Sequence, residues 1–208
     1  MEQLTTLLVE GAHKLGLRLD LTQIEQLVSH LELLAKWNEK LNLVGAGKPA
    51  HWAMRHTLDS LAVATWVAEG ALVADVGSGA GFPGLPCAIA RPGARFVLIE
   101  PRKNRAAFLQ NAVSACSLRN VTVQAKRAEN IQQEFDLVLG RAVAEPMKWE
   151  RIASRLCNAS GSFAAYMLAS PPAELGDSNL VETLKYEAES GRTAWLGRYV
   201  PRGTPAVP

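Results

Sequence analysis

The segment that most restricts the fold is DVGSGAGFPGLP, Asp75 to Pro86, in which four glycines and two prolines follow an acidic residue at the end of an apolar run. A glycine-rich loop directly after a short β-rich segment is typical of the first strand–helix turn in a parallel α/β sheet. Its glycines let backbone amides approach a ligand without an intervening side chain. The loop therefore predicts a ligand site at the carboxyl edge of such a sheet.

From Ala71 onward, β-rich runs alternate with helical ones, which indicates parallel strands joined by crossover helices. We predict five such strands and a closing hairpin, together a Rossmann-like seven-stranded sheet. The five strands are Leu72 to Val76, Arg95 to Ile99, Val121 to Gln124, Phe135 to Leu139 and Phe163 to Met167. The hairpin strands are Val181 to Ala188 and Thr193 to Val200, around the turn Glu189 to Arg192.

The N-terminal part is helical instead. Its first apolar face comprises Leu4, Leu7, Leu8 and Ala12, and a third helical segment runs from His51 to Ala68. Thr22 to Glu25 predicts a capping box that opens the second helix. We therefore predict a helical cap over residues 1–70, a ligand-binding core over 71–202 and a disordered tail over 203–208, with cap and core forming one structural unit.

Two ligand classes are compatible with the glycine loop. Gly79 to Gly84 matches GxGxxG, and Glu100 follows about 20 residues on, as in dinucleotide-binding proteins. Asp75, however, suits a cationic ligand and would repel a pyrophosphate, and the prolines Pro83 and Pro86 remove amide donors from the helix start. These features favour S-adenosylmethionine, although Glu100 can hold the ribose of either ligand. A nicotinamide-dependent oxidoreductase is the alternative.

The ends of the third and fourth strands supply further candidates. Ala128 and Glu129 are placed to border an adenine, and Arg141 to stand beside a reacting methyl group. No Asn/Asp-Pro-Pro-aromatic stretch and no cysteine follows the fourth strand, although exocyclic amines and carbon atoms need such groups for methylation. A ring nitrogen with its own lone pair, such as guanine N7, needs only positioning and charge stabilisation.

Basic residues are concentrated near the same edge. Arg102, Lys103 and Arg105 begin a helix, where cations oppose the helix macrodipole, which indicates that an external anion stabilises them. The rim is completed by Lys48, Arg55, His56, Lys126, Arg127 and Arg141. Such a rim suits the phosphates of RNA, and a merely solvated charged face is the alternative.

Several classes of protein are disfavoured by the remaining residues. Cys87, Cys116 and Cys157 form no CxxC pair, and the histidines form no ligand pattern, so we expect neither a disulfide nor a metal site. No apolar run is long enough to cross a bilayer and no signal peptide is recognisable, so we predict a cytoplasmic protein without a membrane partner. Monomer is the default expectation.

A series of short motifs occurs in order between Trp37 and Ala142. They are Trp37-Asn38, Leu41-Asn42-Leu43, Arg55-His56, Leu58-Asp59-Ser60, DVGSGAGFPGLP, Arg127-Ala128-Glu129, Phe135-Asp136 and Arg141-Ala142. Together they closely resemble the 16S rRNA guanine-N7 methyltransferase G family, also called glucose-inhibited division protein B. The resemblance departs from the family at Lys103-Asn104-Arg105, where Gly-Lys-Arg is usual, and at Tyr166-Met167-Leu168, where Leu-Lys-Gly is usual.

The resemblance implies a class I S-adenosylmethionine-dependent methyltransferase fold. It implies methyl transfer from S-adenosylmethionine to N7 of one guanine in 16S rRNA, nucleotide 527 in the usual rRNA numbering, with 16S rRNA or the small ribosomal subunit as partner. The family's cofactor contacts fall on Gly77, Phe82, Ala128, Glu129 and Arg141. The glycine loop and the end of the next strand add Asp75, Gly79 and Glu100 as predicted cofactor contacts. The candidate RNA contacts are Arg55, His56, Arg102, Lys103, Arg105 and Arg127. A non-catalytic RNA-binding or ribosome-assembly protein that retains the fold is the alternative.

Overall fold

The computed structural model describes residues 2–187 and 193–203 of the 208-residue chain. Its α-helices are α1 Glu2–Lys14, α2 Leu21–Leu41, α3 Pro49–Trp52, α4 Leu58–Ala64, α5 Gly84–Ala90, α6 Lys103–Ala115 and α7 Pro146–Leu156. A π-helical turn, Ala53–Thr57, joins α3 to α4, and a 3-10 turn covers Ala128–Asn130. The strands are β1 Leu72–Val76, β2 Arg95–Ile99, β3 Val121–Gln124, β4 Phe135–Leu139, β5 Cys157–Met167, β6 Glu174–Leu175, β7 Ser178–Glu187 and β8 Thr193–Pro201.

All strands of this described part belong to one sheet, with the order β3-β2-β1-β4-β5-β8-β7-β6. The first five strands pair in parallel, and β8 runs antiparallel between β5 and β7. The strand order reverses between β1 and β4, which is the switch point where open α/β sheets bind ligands. The loop DVGSGAGFPGLP leaves β1 at that point.

The predicted alternation of strands and helices is confirmed. The bounds of β1 to β4 are those expected, whereas β5 begins at Cys157 rather than Phe163, with an irregular register against β4. The predicted count of seven strands was wrong by one, because the two-residue β6 folds back onto β7 and extends the sheet edge. The two hairpin strands are paired as expected. Ala188, the turn Glu189 to Arg192 and residues 204–208 of the predicted tail lie outside the described residues.

The second helix of the cap, α2, begins at a different N-cap residue from the one predicted. The N-cap of α2 is Asp20 rather than Thr22: the Asp20 carboxylate accepts from the Gln23 amide at 2.8 Å, and Gln23 Oε1 accepts from the Asp20 amide at 2.9 Å. This reciprocal pair satisfies two helix-end donors, so it defines the capping box two residues earlier. The third helical segment is divided by the π-helical turn and ends at Ala64.

The two faces of the sheet are covered by different elements. One hydrophobic cluster runs continuously from cap residues such as Leu31 and Leu61 through α5 and α6 to one face of the sheet. A second cluster lies on the other face, where α7 packs with Trp149. Cap and sheet therefore share a core, and the cap lies on the same side as α5. Within the described residues, no helix combines the length and apolar character that a bilayer crossing requires.

Candidate active site

The glycine loop adopts a backbone that few side chains tolerate. Gly77, Gly79 and Gly81 have φ angles of 68°, 54° and 88°, in the left-handed region that favours glycine. A side chain added at Gly77 would start 3.4 Å from Val143, in the segment after β4. The loop and the β4 end thus border a common space that the glycines keep free of side chains.

Asp75 lies beneath this loop and is fully buried. Its Oδ2 accepts a hydrogen bond from the Gly84 amide at 3.0 Å, and its carbonyl accepts from the Ser78 hydroxyl at 2.7 Å. Its Oδ1 has no partner among the described residues. Burial raises the pKa of the Asp75 carboxyl to about 7, against the opposing effect of the Gly84 hydrogen bond. A cationic group is the ligand chemistry that this acid would favour.

Glu100, at the end of β2, is buried and fastens the loop from its other side. Its Oε2 accepts from the Gly79 amide at 3.0 Å, and its Oε1 accepts from the Arg102 amide at 2.9 Å. Each carboxylate oxygen can accept more than one hydrogen bond. Glu100 therefore holds the loop while keeping acceptor capacity for ligand hydroxyls.

Phe82 lies at the centre of the contacts between cap and loop. It is only 5% exposed, and its ring centroid is 5.0 Å from that of His30, 5.2 Å from that of His56 and 5.6 Å from the guanidinium carbon of Arg141. Two cap imidazoles and one core guanidinium thus surround a single ring. These distances permit aromatic and cation–π attraction.

His30, on α2, ties the cap to the loop backbone. Its Nε2 is 2.9 Å from the Ala80 carbonyl oxygen, and burial lowers its pKa to about 4, so the neutral ring donates this hydrogen bond. The sequence predicted no role for His30, since the histidines form no ligand pattern. A polar residue within the stripe that includes Leu27 and Leu31 was the available signal, because buried polar groups require partners.

Arg141 leaves β4 and reaches back to the cap. Its Nη2 lies 2.9 Å from Nδ1 of His56, and its Nη1 lies 3.5 Å from Oδ2 of Asp59. The following residue, Ala142, has a φ of 56°, a strained conformation for a residue with a side chain. Asp59 received no role from the sequence, although it belongs to a motif that carried the family resemblance.

Of Ala128 and Glu129, the two residues predicted to border the adenine after β3, only Glu129 has an exposed side chain. Ala128 is buried, and its carbonyl accepts hydrogen bonds from the Arg155 guanidinium at 2.5 Å and the Ile131 amide at 3.1 Å. Glu129 is exposed in the same 3-10 turn. The carboxylate of Glu129, rather than the Ala128 carbonyl, is therefore available at this edge.

The predicted basic residues lie on a more open surface. A cleft of about 370 Å³ between the end of α2 and the start of α6 is lined by Leu41, Arg102, Lys103, Asn104 and Arg105. Arg105 also borders the loop, since a side chain at Gly79 would start 3.7 Å from its Nη1. Arg55, Arg102, Lys103 and Arg127 are exposed. Over residues 2–187 and 193–203, no ion pair involves these four or Arg105.

The sequence candidates thus separate into two groups. Those that meet at the loop are Asp75, Gly77, Gly79, Phe82, Glu100 and Arg141, joined by His56, which was predicted as an RNA contact. Those that remain on the surface are Arg55, Arg102, Lys103, Arg127 and Glu129. Arg105 lies between the two groups, and Ala128 is buried in the turn that it shares with Glu129.

The cysteines are unsuited to covalent chemistry. All three are buried, and burial raises the thiol pKa to about 11 for Cys116, to about 12 for Cys157 and well above its usual value for Cys87. A thiol nucleophile needs the opposite shift. No group of three metal-ligating side chains occurs among the described residues.

The strand order and the glycine loop after β1 define a class I S-adenosylmethionine-dependent methyltransferase fold. Among solved structures, that of TYW2 of M. jannaschii in complex with AdoMet superposes with a TM-score of 0.56 at 14% identity, covering 69% of this chain and 74% of that one. This likeness shows the fold.

The family follows from the sequence comparisons. The model of rRNA small subunit methyltransferase G matches residues 23–192. Ribosomal RNA small subunit methyltransferase G of Nitrosococcus oceani is 37% identical over 171 residues, 81% of this chain and 79% of that protein. The protein of the same name from Nitrosospira multiformis is 40% identical over 154 residues, 73% of this chain and 71% of that protein. The chain belongs to the rRNA small subunit methyltransferase G family.

This membership confirms the predicted methyltransferase activity and its S-adenosylmethionine cofactor, and it excludes the nicotinamide alternative. The residues of the loop fit that cofactor. The left-handed glycines leave room at the strand edge, and the buried Oδ1 of Asp75 offers an acceptor to a cation.

Proposed function

We propose that this chain transfers the methyl group of S-adenosylmethionine to N7 of a single guanine in 16S rRNA, nucleotide 527 in the usual rRNA numbering. The observation that carries the proposal is the chemistry of the β4 end. Arg141 is a permanent cation, His56 is neutral and accepts from it, and Asp59 pairs with it. Within the described residues these groups offer positioning and charge, and none is arranged to remove a proton from a substrate.

Guanine N7 is matched to such a site, because its lone pair can attack a methyl carbon directly. S-adenosylmethionine supplies that carbon as part of a sulfonium group. The nitrogen–carbon bond forms as the carbon–sulfur bond breaks, its electron pair goes to sulfur, and the positive charge passes to the base. No proton moves, so in-line alignment is the main requirement on the protein.

The cofactor assignments follow the strand edge. Gly77, Gly79 and Phe82 form the loop side, and Asp75 favours the cationic methionine end. Glu100 faces the loop from β2 and holds the ribose hydroxyls. Beyond it, the Ala128–Glu129 turn borders the adenine and Arg141 orients groups beside the methyl. Glu129 contributes its exposed carboxylate there.

The RNA surface is assigned to the exposed cations around the same edge. Arg102, Lys103 and Arg105 line the cleft at the start of α6, and the exposed Arg55 and Arg127 are assigned to the same RNA surface. Exposed cations without ion pairs attract phosphates at little desolvation cost. We further propose that the protein acts as a monomer in the cytoplasm, on 16S rRNA or the small subunit.

The test is methylation of small subunits and of 16S rRNA from cells that lack the gene. Wild-type protein with S-adenosylmethionine should produce N7-methylguanosine at one position, mapped by chain cleavage, and Arg141→Ala should lower kcat/KM about a hundredfold. Methyl transfer to a different atom or to several guanines would overturn the assignment. Binding of the RNA without any methylation would favour the non-catalytic alternative.

A further inference from the structure

Arg55 and His56 are adjacent in the sequence but face different surroundings. The π-helical turn Ala53–Thr57 contains both, and the side chain of Arg55 is exposed. The ring of His56 instead lies between Phe82, at 5.2 Å, and the guanidinium of Arg141. Arg55 and His56 were both predicted to contact RNA, but only Arg55 occupies a position suited to that role.

The hydrogen bond between His56 and Arg141 has a defined direction. Arginine has only donors, so Nη2 of Arg141 donates and Nδ1 of His56 accepts at 2.9 Å. The imidazole must then be neutral with its proton on Nε2. Burial and the nearby charge of Arg141 lower the His56 pKa to about 4, which agrees with this assignment.

Arg141 is held at three further points. Asp59 Oδ2 lies 3.5 Å from Nη1, the Arg55 carbonyl lies 3.5 Å from the same nitrogen, and Phe82 lies under the guanidinium. Of these holders, His56 makes the shortest contact. It also contacts Phe82, so it links the two residues that the loop and the β4 end contribute to the site.

We infer that His56 is a positioning residue that aims Arg141 at the cofactor, and that it does not bind RNA. The cap thereby contributes to the cofactor site as well as to the RNA surface. This inference rests on the proposed role of Arg141. It predicts that changes at His56 act through Arg141, whereas changes at Arg55 act through the RNA.

The experiment uses two complementary substitutions of His56. His56→Phe keeps a ring against Phe82 but removes the acceptor, and His56→Asn keeps an acceptor oxygen but removes the ring. Affinity for S-adenosylmethionine is measured by calorimetry without RNA, and kcat and KM are measured with small subunits. His56→Phe should weaken cofactor binding or lower kcat about tenfold with KM for RNA unchanged, and His56→Asn should recover most of the loss.

Two controls separate this role from others. The double variant His56→Phe/Arg141→Ala should lose no more activity than Arg141→Ala alone, because each single substitution already removes the same hydrogen bond between His56 and Arg141. Arg55→Ala should raise KM for RNA and reduce its salt dependence while leaving cofactor affinity unchanged. Thermal unfolding checks each variant, and His56→Ala replaces His56→Phe if the latter does not fold.

Three outcomes would overturn the inference. They are a higher KM for RNA with unchanged kcat and cofactor affinity in His56→Phe, additive effects in the double variant, and an Arg141→Ala protein with wild-type cofactor affinity and kcat. The last would also overturn the proposed role of Arg141. In contrast, a strong Arg141→Ala effect beside an unaffected His56→Phe would contradict only the role of His56.

Discussion

Phe82, on the cap side of the glycine loop, is 5% exposed and is surrounded by His30, His56 and Arg141. Arg102 and Lys103, at the start of α6, are exposed, and neither forms an ion pair with any described residue. The first region depends on fixed geometry in a packed interior, where small changes in volume or charge are costly. The second depends on the sum of solvated charges, which screening by salt weakens.

The largest effect should come from overfilling the loop. A Cβ at Gly84 would lie 2.6 Å from Oδ2 of Asp75 and would also collide with Leu98, both buried. Gly84→Ala should therefore lower the free energy of unfolding by about 3 kcal/mol, measured by urea denaturation. Gly45→Ala is the matched control, since no atom lies within 4 Å of a Cβ there and its change should stay below about 0.5 kcal/mol. Equal losses in both would contradict the packed loop.

Lowering the pH should reduce the free energy of unfolding through the buried His30. Its folded pKa, about 4, lies below its ordinary value of 6.5, so the unfolded chain takes up the proton first as pH falls. The stabilisation is complete above pH 6.5 and is lost towards pH 4. Between pH 7 and pH 5 the wild type should lose about 2 kcal/mol more than His30→Gln, which keeps a donor for the Ala80 carbonyl but does not titrate.

Denaturation series at the two pH values measure this difference directly. Asp75, whose pKa is shifted in the opposite direction, is present in both proteins, so its contribution cancels. Parallel losses of stability in wild type and His30→Gln would show that another group is responsible.

Cofactor affinity should depend on pH through Asp75. Its carboxyl has a pKa of about 7, so between pH 6 and pH 8 most molecules lose this proton. If the carboxylate meets the cationic end of S-adenosylmethionine, affinity should rise about tenfold over that range. Calorimetric titrations should show a flat profile for Asp75→Asn, which retains an acceptor for the Gly84 amide. The same slope in both proteins would exclude Asp75 as the contact.

The two regions also differ in how far the sequence predicts them. Strand bounds and the loop position follow from local patterns, because period-two apolar runs and glycine-rich turns are read within a few residues. The contacts of Phe82 with His30 and His56 join residues distant in the chain, and no local pattern encodes them. The π-helical turn, which contains both Arg55 and His56, likewise has no sequence signature.

The exposed cations are the converse case. Arg102 and Lys103 were predicted as RNA contacts from their unfavourable position at a helix start, and the structure adds the cleft that they line. The capping box at Asp20 rather than Thr22 shows the limit of such local reasoning, since the reciprocal hydrogen bonds between Asp20 and Gln23 identify the N-cap only in the structure. The role of the rim therefore has to be tested by its electrostatics.

The smallest effect should come from single charges of this rim. Arg102→Ala or Lys103→Ala should weaken binding to 16S rRNA only about threefold at physiological salt. Each should also reduce the slope of log affinity against log salt by about 0.7. Cofactor affinity should not change, because neither side chain contacts the packed loop. Arg18→Ala is the matched control, because Arg18 is an exposed cation at the opposite end of α2 from the cleft. It precedes the first turn of α2, where Gln23 donates a hydrogen bond to the carbonyl of Ile89. A rim variant with the wild-type salt slope, or an Arg18 variant with a reduced one, would place the RNA surface elsewhere.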